Sequence, residues 1–150
     1  MFCDTSALMK LYAAETHSEW TRAQVMRASH CVVSQITWVE MCAAFGLKER
    51  TQQVSATECK LALKRLHAEW PALTRMGLDA PLLTQAGELA LQWGLRAYDS
   101  LQLATAGLAH AQLGKQMVFL CFDKKLQLAA QAMGLTIADP STGNPASESI

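Results

Sequence analysis

The chain has 150 residues, 51% apolar and 17% charged, with thirteen basic residues balancing thirteen acidic ones. That length supports a single domain with a substantial core. The balance excludes a uniformly basic, nucleic-acid-coating surface, although a neutral sum can hide an acidic pocket with a basic rim. Five cysteines without a CxxC pair read as reduced thiols packed as small hydrophobes, and four scattered histidines offer no metal-ligand spacing such as HExxH. No apolar run reaches the ~18 residues of a membrane span and no leader precedes the first motif, so a cytoplasmic location is expected.

In chain order, "MFC" opens as a short strand and runs into Asp4, after which a helical pattern covers residues 5–28. "CVV" at 31–33 is the second strand. Ser34 stands where a cap belongs for a helix over 35–48. Ser55 and Glu58 form a capping box for a helix over 54–70, which Pro71 ends. "ALTRMGL" at 72–78 is the third strand, followed by a helix over 80–92. A helix over 98–113 stops at Gly114, and "MVFLCF" at 117–122 is a strand apolar enough to be covered on both faces. A helix over 124–133 stops at Gly134, "LTIA" at 135–138 is the fifth strand, and residues 139–150 read as a disordered tail. Strands alternating with helices predict an α/β fold with a mainly parallel sheet over residues 1–138.

Three of the five aspartates stand where chemistry or capping would put them. Asp4 ends "MFCD", Asp123 ends "VFLCFD", and Asp99 lies in the first turn of "AYDSLQLATAGLAHAQL". Each alone reads equally well as a cap or first-turn acid favoured by the helix dipole. Glu40 cannot be a cap, because it is in mid-helix. The apolar residues Ile36, Val39, Ala43 and Leu47 predict an inward stripe there, with Glu40 beside it. In a parallel sheet, ligands bind beyond the carboxyl ends of the strands. Asp4 and Asp123 occupy such ends, and the helix carrying Asp99 starts at the same edge if it leads into the strand at 117–122. One crevice then holds four carboxylates. Two such charges ~5 Å apart repel by roughly 3 kcal/mol at an effective dielectric of 20, which calls for protons or a cation. Hard divalent cations prefer oxygen ligands and provide what phosphodiester hydrolysis needs.

"DTSALMKLY" at 4–12, the glutamate of "ITWVEMCAA", "LRAYDSLQLATA" at 95–106 and "VFLCFDKKL" at 118–126 together resemble the PIN domain, most closely the VapC toxins of bacterial toxin–antitoxin pairs. The resemblance runs from residue 1 to about 138. It implies a three-layer α/β/α fold around a five-stranded, mainly parallel sheet, and a Mg²⁺-dependent endoribonuclease, with Mn²⁺ as a substitute. By resemblance the acidic quartet falls on Asp4, Glu40, Asp99 and Asp123, with Asp4 and Asp99 as the principal metal ligands. Thr5 and Ser6 are candidates to touch phosphate or metal-held water, and Lys10 and Arg96 are candidate phosphate contacts. Where the family often has a small hydroxyl residue two before the last acid, this chain has Cys121. Where it often has Ala after the third acid, this chain has Ser100.

The resemblance also implies an RNA substrate, a homodimer and a cognate antitoxin that covers the site. Trp38, Met41, Phe45, Leu61 and Leu63 are more bulky apolar residues than two core stripes require, which fits an interaction surface. Trp20, Trp38, Trp70 and Trp93 could stack on bases, but core or interface packing is the better reading. A phosphatase with a DxD motif is excluded by Ser6, and a phosphoacceptor domain by the want of paired acids at the first strand. The alternative that survives is a catalytically inactive PIN-like RNA- or protein-binding module.

Overall fold

The computed structural model describes residues 1–114 and 116–141. Residues 142–150, most of the expected tail, lie outside the described residues. Five short parallel strands form one sheet: β1 (Phe2–Cys3), β2 (Val32–Ser34), β3 (Thr74–Met76), β4 (Val118–Leu120) and β5 (Thr136–Ala138), in the order β3-β2-β1-β4-β5. Seven α-helices among the described residues cover its faces: α1 (Thr5–Tyr12), α2 (Ser18–Arg27), α3 (Ile36–Arg50), α4 (Ala56–Glu69), α5 (Ala80–Trp93), α6 (Ala97–Leu113) and α7 (Lys124–Ala132).

Successive strand residues point to opposite faces, and this period divides the core in two. Phe2, Val32, Phe119 and Cys121 face α5, α6 and α7, joining Leu89, Leu103 and Leu126. Cys3, Val33 and Leu120 face the other layer, joining Leu8, Met41, Phe45 and Leu66. The three-layer α/β/α reading holds. Because both faces are covered, the central strands need no polar residues until they end. The chain leaves β1 toward β2 and β3 on one side, while β4 and β5 occupy the other. The sheet therefore reverses its strand order beside β1, and the ends of β1 and β4 flank that point.

Three local expectations are corrected. The helix over 5–28 is two helices. Ala13 turns extended, His17 adopts a left-handed conformation (φ 69°), and the Ser18 hydroxyl clasps the turn by accepting the Glu15 N–H and donating to the Ala13 carbonyl, both at 3.0 Å. Ser34 is no cap: it ends β2, buried, and Gln35 holds the N-cap position. The inward face of α3 is Thr37, Met41 and Phe45, whereas Val39 and Leu47 are more than half exposed. The predicted stripe sits on the opposite side of the helix. Pro71 falls inside a short 3₁₀ turn (Trp70–Ala72) that follows α4. Gly114 and Gly134 take the positive φ (both 82°) expected of helix-ending glycines.

Of the surplus apolar residues, Met41 and Phe45 are core, and Leu61 is 60% exposed. The tryptophans pack rather than project: Trp38 and Trp70 lie 5.2 Å apart between ring centroids, and Trp20 meets Phe122 edge-on. No described helix is long and apolar enough to cross a membrane. All five cysteines are free.

Candidate metal and phosphodiester site

Local rules at three helix starts and one helix flank bring the acids to the same edge. Asp4 directly follows β1 and caps α1, accepting the Ala7 N–H at 2.9 Å. Asp123 follows β4 and caps α7, accepting the Leu126 N–H at 2.9 Å. Asp99 lies in the first turn of α6. Glu40 stands on the flank of α3, one turn from Thr37 and from Ala44. These four, together with Thr5, Ser6, Lys10 and Arg96, line one cavity of ≈ 320 Å³, which Gln102, Glu15 and Phe122 help to close. Every expected site residue thus reaches the same space, at the strand-order reversal.

The acids do not share one hydrogen-bond network. Asp4 is 4% exposed and also accepts from the Ser6 hydroxyl at 2.7 Å and the Cys121 thiol at 3.3 Å. Burial pushes its carboxyl up from 3.8 to about 6, and the bonds from Ser6, Ala7 and Cys121 hold it from going higher. The rise comes from desolvation, not from crowding by other carboxylates. Burial also raises the Cys121 thiol, and the neighbouring Asp4 charge adds to this, so the sulfur stays a protonated donor. Cys121 therefore fills the role of the small hydroxyl expected two before Asp123: it donates to Asp4 and accepts the Asp123 N–H at 3.3 Å. Ser6 accepts the Phe122 N–H at 2.8 Å and so ties α1 to the end of β4.

Glu40 is held by a second set. Its Oε2 accepts from the Thr5 hydroxyl at 2.6 Å and from the Gln102 side-chain amide at 2.5 Å. Gln102 is 1% exposed, and the same nitrogen reaches the hydroxyls of Thr37 at 2.8 Å and Thr5 at 3.0 Å. Sequence reasoning missed Gln102. The signal was there, because it stands three residues after Asp99 on one helix and must share its face. The third set is ionic. Arg96 donates from Nε to Asp99 at 2.8 Å, and its terminal nitrogen lies 3.7 Å from Asp123. The guanidinium is exposed and supplies the positive charge between those two acids.

At the mouth, Glu15 joins Lys10 at 3.2 Å and Lys48 at 2.7 Å. Burial would raise the Glu15 carboxyl, but the two lysines outweigh it and hold it low. Lys10 also lies 4.5 Å above the Phe122 ring. Glu15 carries no pattern in the sequence that could have marked it, since it sits in the unexpected break between α1 and α2.

The donor set suits a hard cation, since the carboxylates and hydroxyls lining the cavity are oxygen donors. Among the described residues, no three His, Cys, Asp or Glu side chains are gathered into a ready cluster. Mg²⁺ asks for less: it is commonly held by one or two carboxylates and keeps several waters. Asp4 and Asp99 meet that requirement in type.

A family model described as the PIN domain matches residues 1–131. The chain is 29% identical over 138 residues to ribonuclease VapC45 of Mycobacterium tuberculosis, covering 92% of this chain and 94% of that one. Among solved structures it is similar to a toxin–antitoxin complex from Klebsiella pneumoniae (TM-score 0.58, 17% identity, 83% and 87% of the two chains). It is also similar to FitAcB from Neisseria gonorrhoeae (TM-score 0.67, 17% identity, 94% and 98%).

Asp4 generates a prediction about pH. A carboxyl with a pKa of about 6 in the fold, against an ordinary value of 3.8, binds its proton more tightly when folded. Its charge opposes folding above about pH 6, and that penalty is relieved as pH falls toward 4, by on the order of 3 kcal/mol. In chelator, Asp4→Asn raises the melting temperature at pH 8 and removes this part of the gain between pH 7 and 4. Unfolding curves of both proteins across that range check it; parallel pH profiles contradict it.

Proposed function

Because the chain belongs to the PIN domain family, we propose that it is a metal-dependent endoribonuclease acting as the toxin of a toxin–antitoxin pair, with residues 1–138 as the nuclease domain. The observation that carries this reading is the single cavity lined by Asp4, Glu40, Asp99 and Asp123, which come from four different elements. The similarity to a ribonuclease over nearly the whole length supports RNA as the polymer.

In this reading Asp4 and Asp99 hold Mg²⁺, with Mn²⁺ as a substitute, and Asp123 completes the negative wall. A divalent cation bound there supplies Lewis-acid stabilisation of phosphoryl charge and lowers the pKa of water. The chain's own residues do the rest. Thr5 and Gln102 fix Glu40 through Oε2, which leaves Oε1 to orient water and take a proton from it. Arg96 is the mobile cation: it neutralises Asp99 in the resting site and turns to the scissile phosphate when substrate and metal arrive, as a charge-assisted donor. Lys10 makes the corresponding exchange from Glu15 to the strand. Ser6 and Cys121 keep the buried Asp4 carboxylate aimed and dry.

The test is cleavage of total RNA with Mg²⁺, the ends mapped by sequencing. Chelator abolishes cutting, and Asp4→Asn or Asp99→Asn lowers it by at least 10²-fold with the fold intact by circular dichroism. Gln102→Leu, which leaves Glu40 with Thr5 alone, lowers kcat about tenfold while the half-saturating Mg²⁺ concentration stays put. Full activity in chelator, or in either aspartate variant, sinks the mechanism. RNA binding without cleavage assigns the chain to the inactive-module alternative instead.

The similarity to a toxin–antitoxin complex supports a protein inhibitor, and the same proposal makes the toxin a homodimer in the cytoplasm. An antitoxin has a ready mode of inhibition here, because the cavity already accepts a guanidinium between Asp99 and Asp123. An inhibitor Arg or Lys in that place would exclude the metal. Co-purification with the product of an adjacent gene checks the partner. A partner that binds equally well after Asp99→Ala and Asp123→Ala, and that fails to inhibit RNA cleavage by the parent protein, contradicts plugging.

A further inference from the structure

A second groove of ≈ 360 Å³ runs beside the carboxylate cavity and shares one wall with it, the ring of Phe122. Phe122 immediately precedes Asp123, so that wall begins one residue from the acid. The imidazole of His17 lies nearly parallel to the Phe122 ring, with centroids 5.9 Å apart and planes 10° apart. His17 is exposed and lines the groove. It is held there by a left-handed backbone, one of two such non-glycine residues among those described. A non-glycine residue in that conformation carries strain that the surrounding structure must offset, which is a common mark of a working position. Lys124 and the Asp139 carboxylate also line the groove, and Lys10 lies 4.5 Å from the centre of the Phe122 ring.

A near-parallel pair of flat rings with two lysines nearby suits a nucleotide better than a peptide. Every nucleobase offers a π-face, and stacking on aromatic side chains tolerates sequence, while Lys contacts follow the phosphates. A peptide would need backbone partners. Resting on the nuclease reading above, we propose that the groove is a base-stacking subsite for single-stranded RNA, in which the nucleotide next to the scissile phosphate stacks on His17 and extends the His17–Phe122 pair. His17 is then an affinity residue rather than a catalytic one.

The experiment uses a fluorescently labelled short single-stranded RNA of mixed sequence and the same strand with its bases removed. Binding to the full chain is measured by anisotropy in chelator, where nothing is cut, and cleavage is measured separately with Mg²⁺. The variant is His17→Asn, since Asn tolerates the left-handed backbone and lacks the ring. The parent protein binds the intact strand about tenfold more tightly than the base-free one, equivalent to about 1.4 kcal/mol. His17→Asn loses most of that preference, keeps the salt dependence set by phosphate contacts, and raises KM with kcat unchanged. Equal affinity of parent and variant for the intact strand overturns the subsite. So does weakened antitoxin binding with RNA affinity unchanged, which assigns the groove to the protein partner. Base-dependent, His17-dependent binding without any cleavage keeps the subsite and refutes the nuclease reading. No RNA binding by the parent overturns both.

Discussion

Bringing four carboxylates to one edge of a sheet is costly, and the arrangement of this molecule follows from how that cost is met. The acids are divided among three sets of partners instead of one. Asp4 is desolvated and held by a hydroxyl, a backbone amide and a thiol. Glu40 is held by Thr5 and Gln102. Asp99 and Asp123 face one guanidinium. Separate polar clamps and one exposed guanidinium offset that cost, and in the proposed mechanism Arg96 gives way to another positive charge.

The fold makes that edge available. Parallel strands all end on the same side, and the reversal beside β1 opens a crevice between the ends of β1 and β4. Asp4 and Asp123 are caps of the helices that follow those strands, so the bond that starts each helix also fixes one oxygen of each acid. The same carboxylate serves helix formation and site geometry. The small residues of α6, among them Ala104, Ala106 and Ala109, let that helix approach the sheet closely enough for Asp99 and Gln102 to reach the cavity.

Much of this was legible from the sequence. The order and class of the strands came from apolar runs ending in acids, and the three capping-type aspartates from their place after those runs. Glu40 was found through a stripe that is in fact on the outer side of α3. The conclusion survived because a residue one turn from both Thr37 and Ala44 flanks the true inner face as well. The break at residues 13–17 was hidden because helical periodicity continues across it, and only the Ser18 clasp and the lysine-paired Glu15 stop the helix. Long-range partners such as Gln102 with Thr5, 97 residues apart, have no local signature. The source of the raised Asp4 pKa was also out of reach, since burial depends on what covers the site rather than on how many acids it contains.

The central claim is that these carboxylates form one cation site. Thermal unfolding in millimolar Mg²⁺ or Mn²⁺ tests it without reference to any RNA. The account predicts that metal raises the melting temperature of the parent protein by a few degrees, since a ligand at ten times its Kd stabilises by about 1.4 kcal/mol. The shift should be lost in Asp4→Asn and Asp99→Asn and should shrink as pH falls through 6, where Asp4 takes up its proton. An unchanged melting temperature in the parent protein, or an equal shift in both variants, would contradict it.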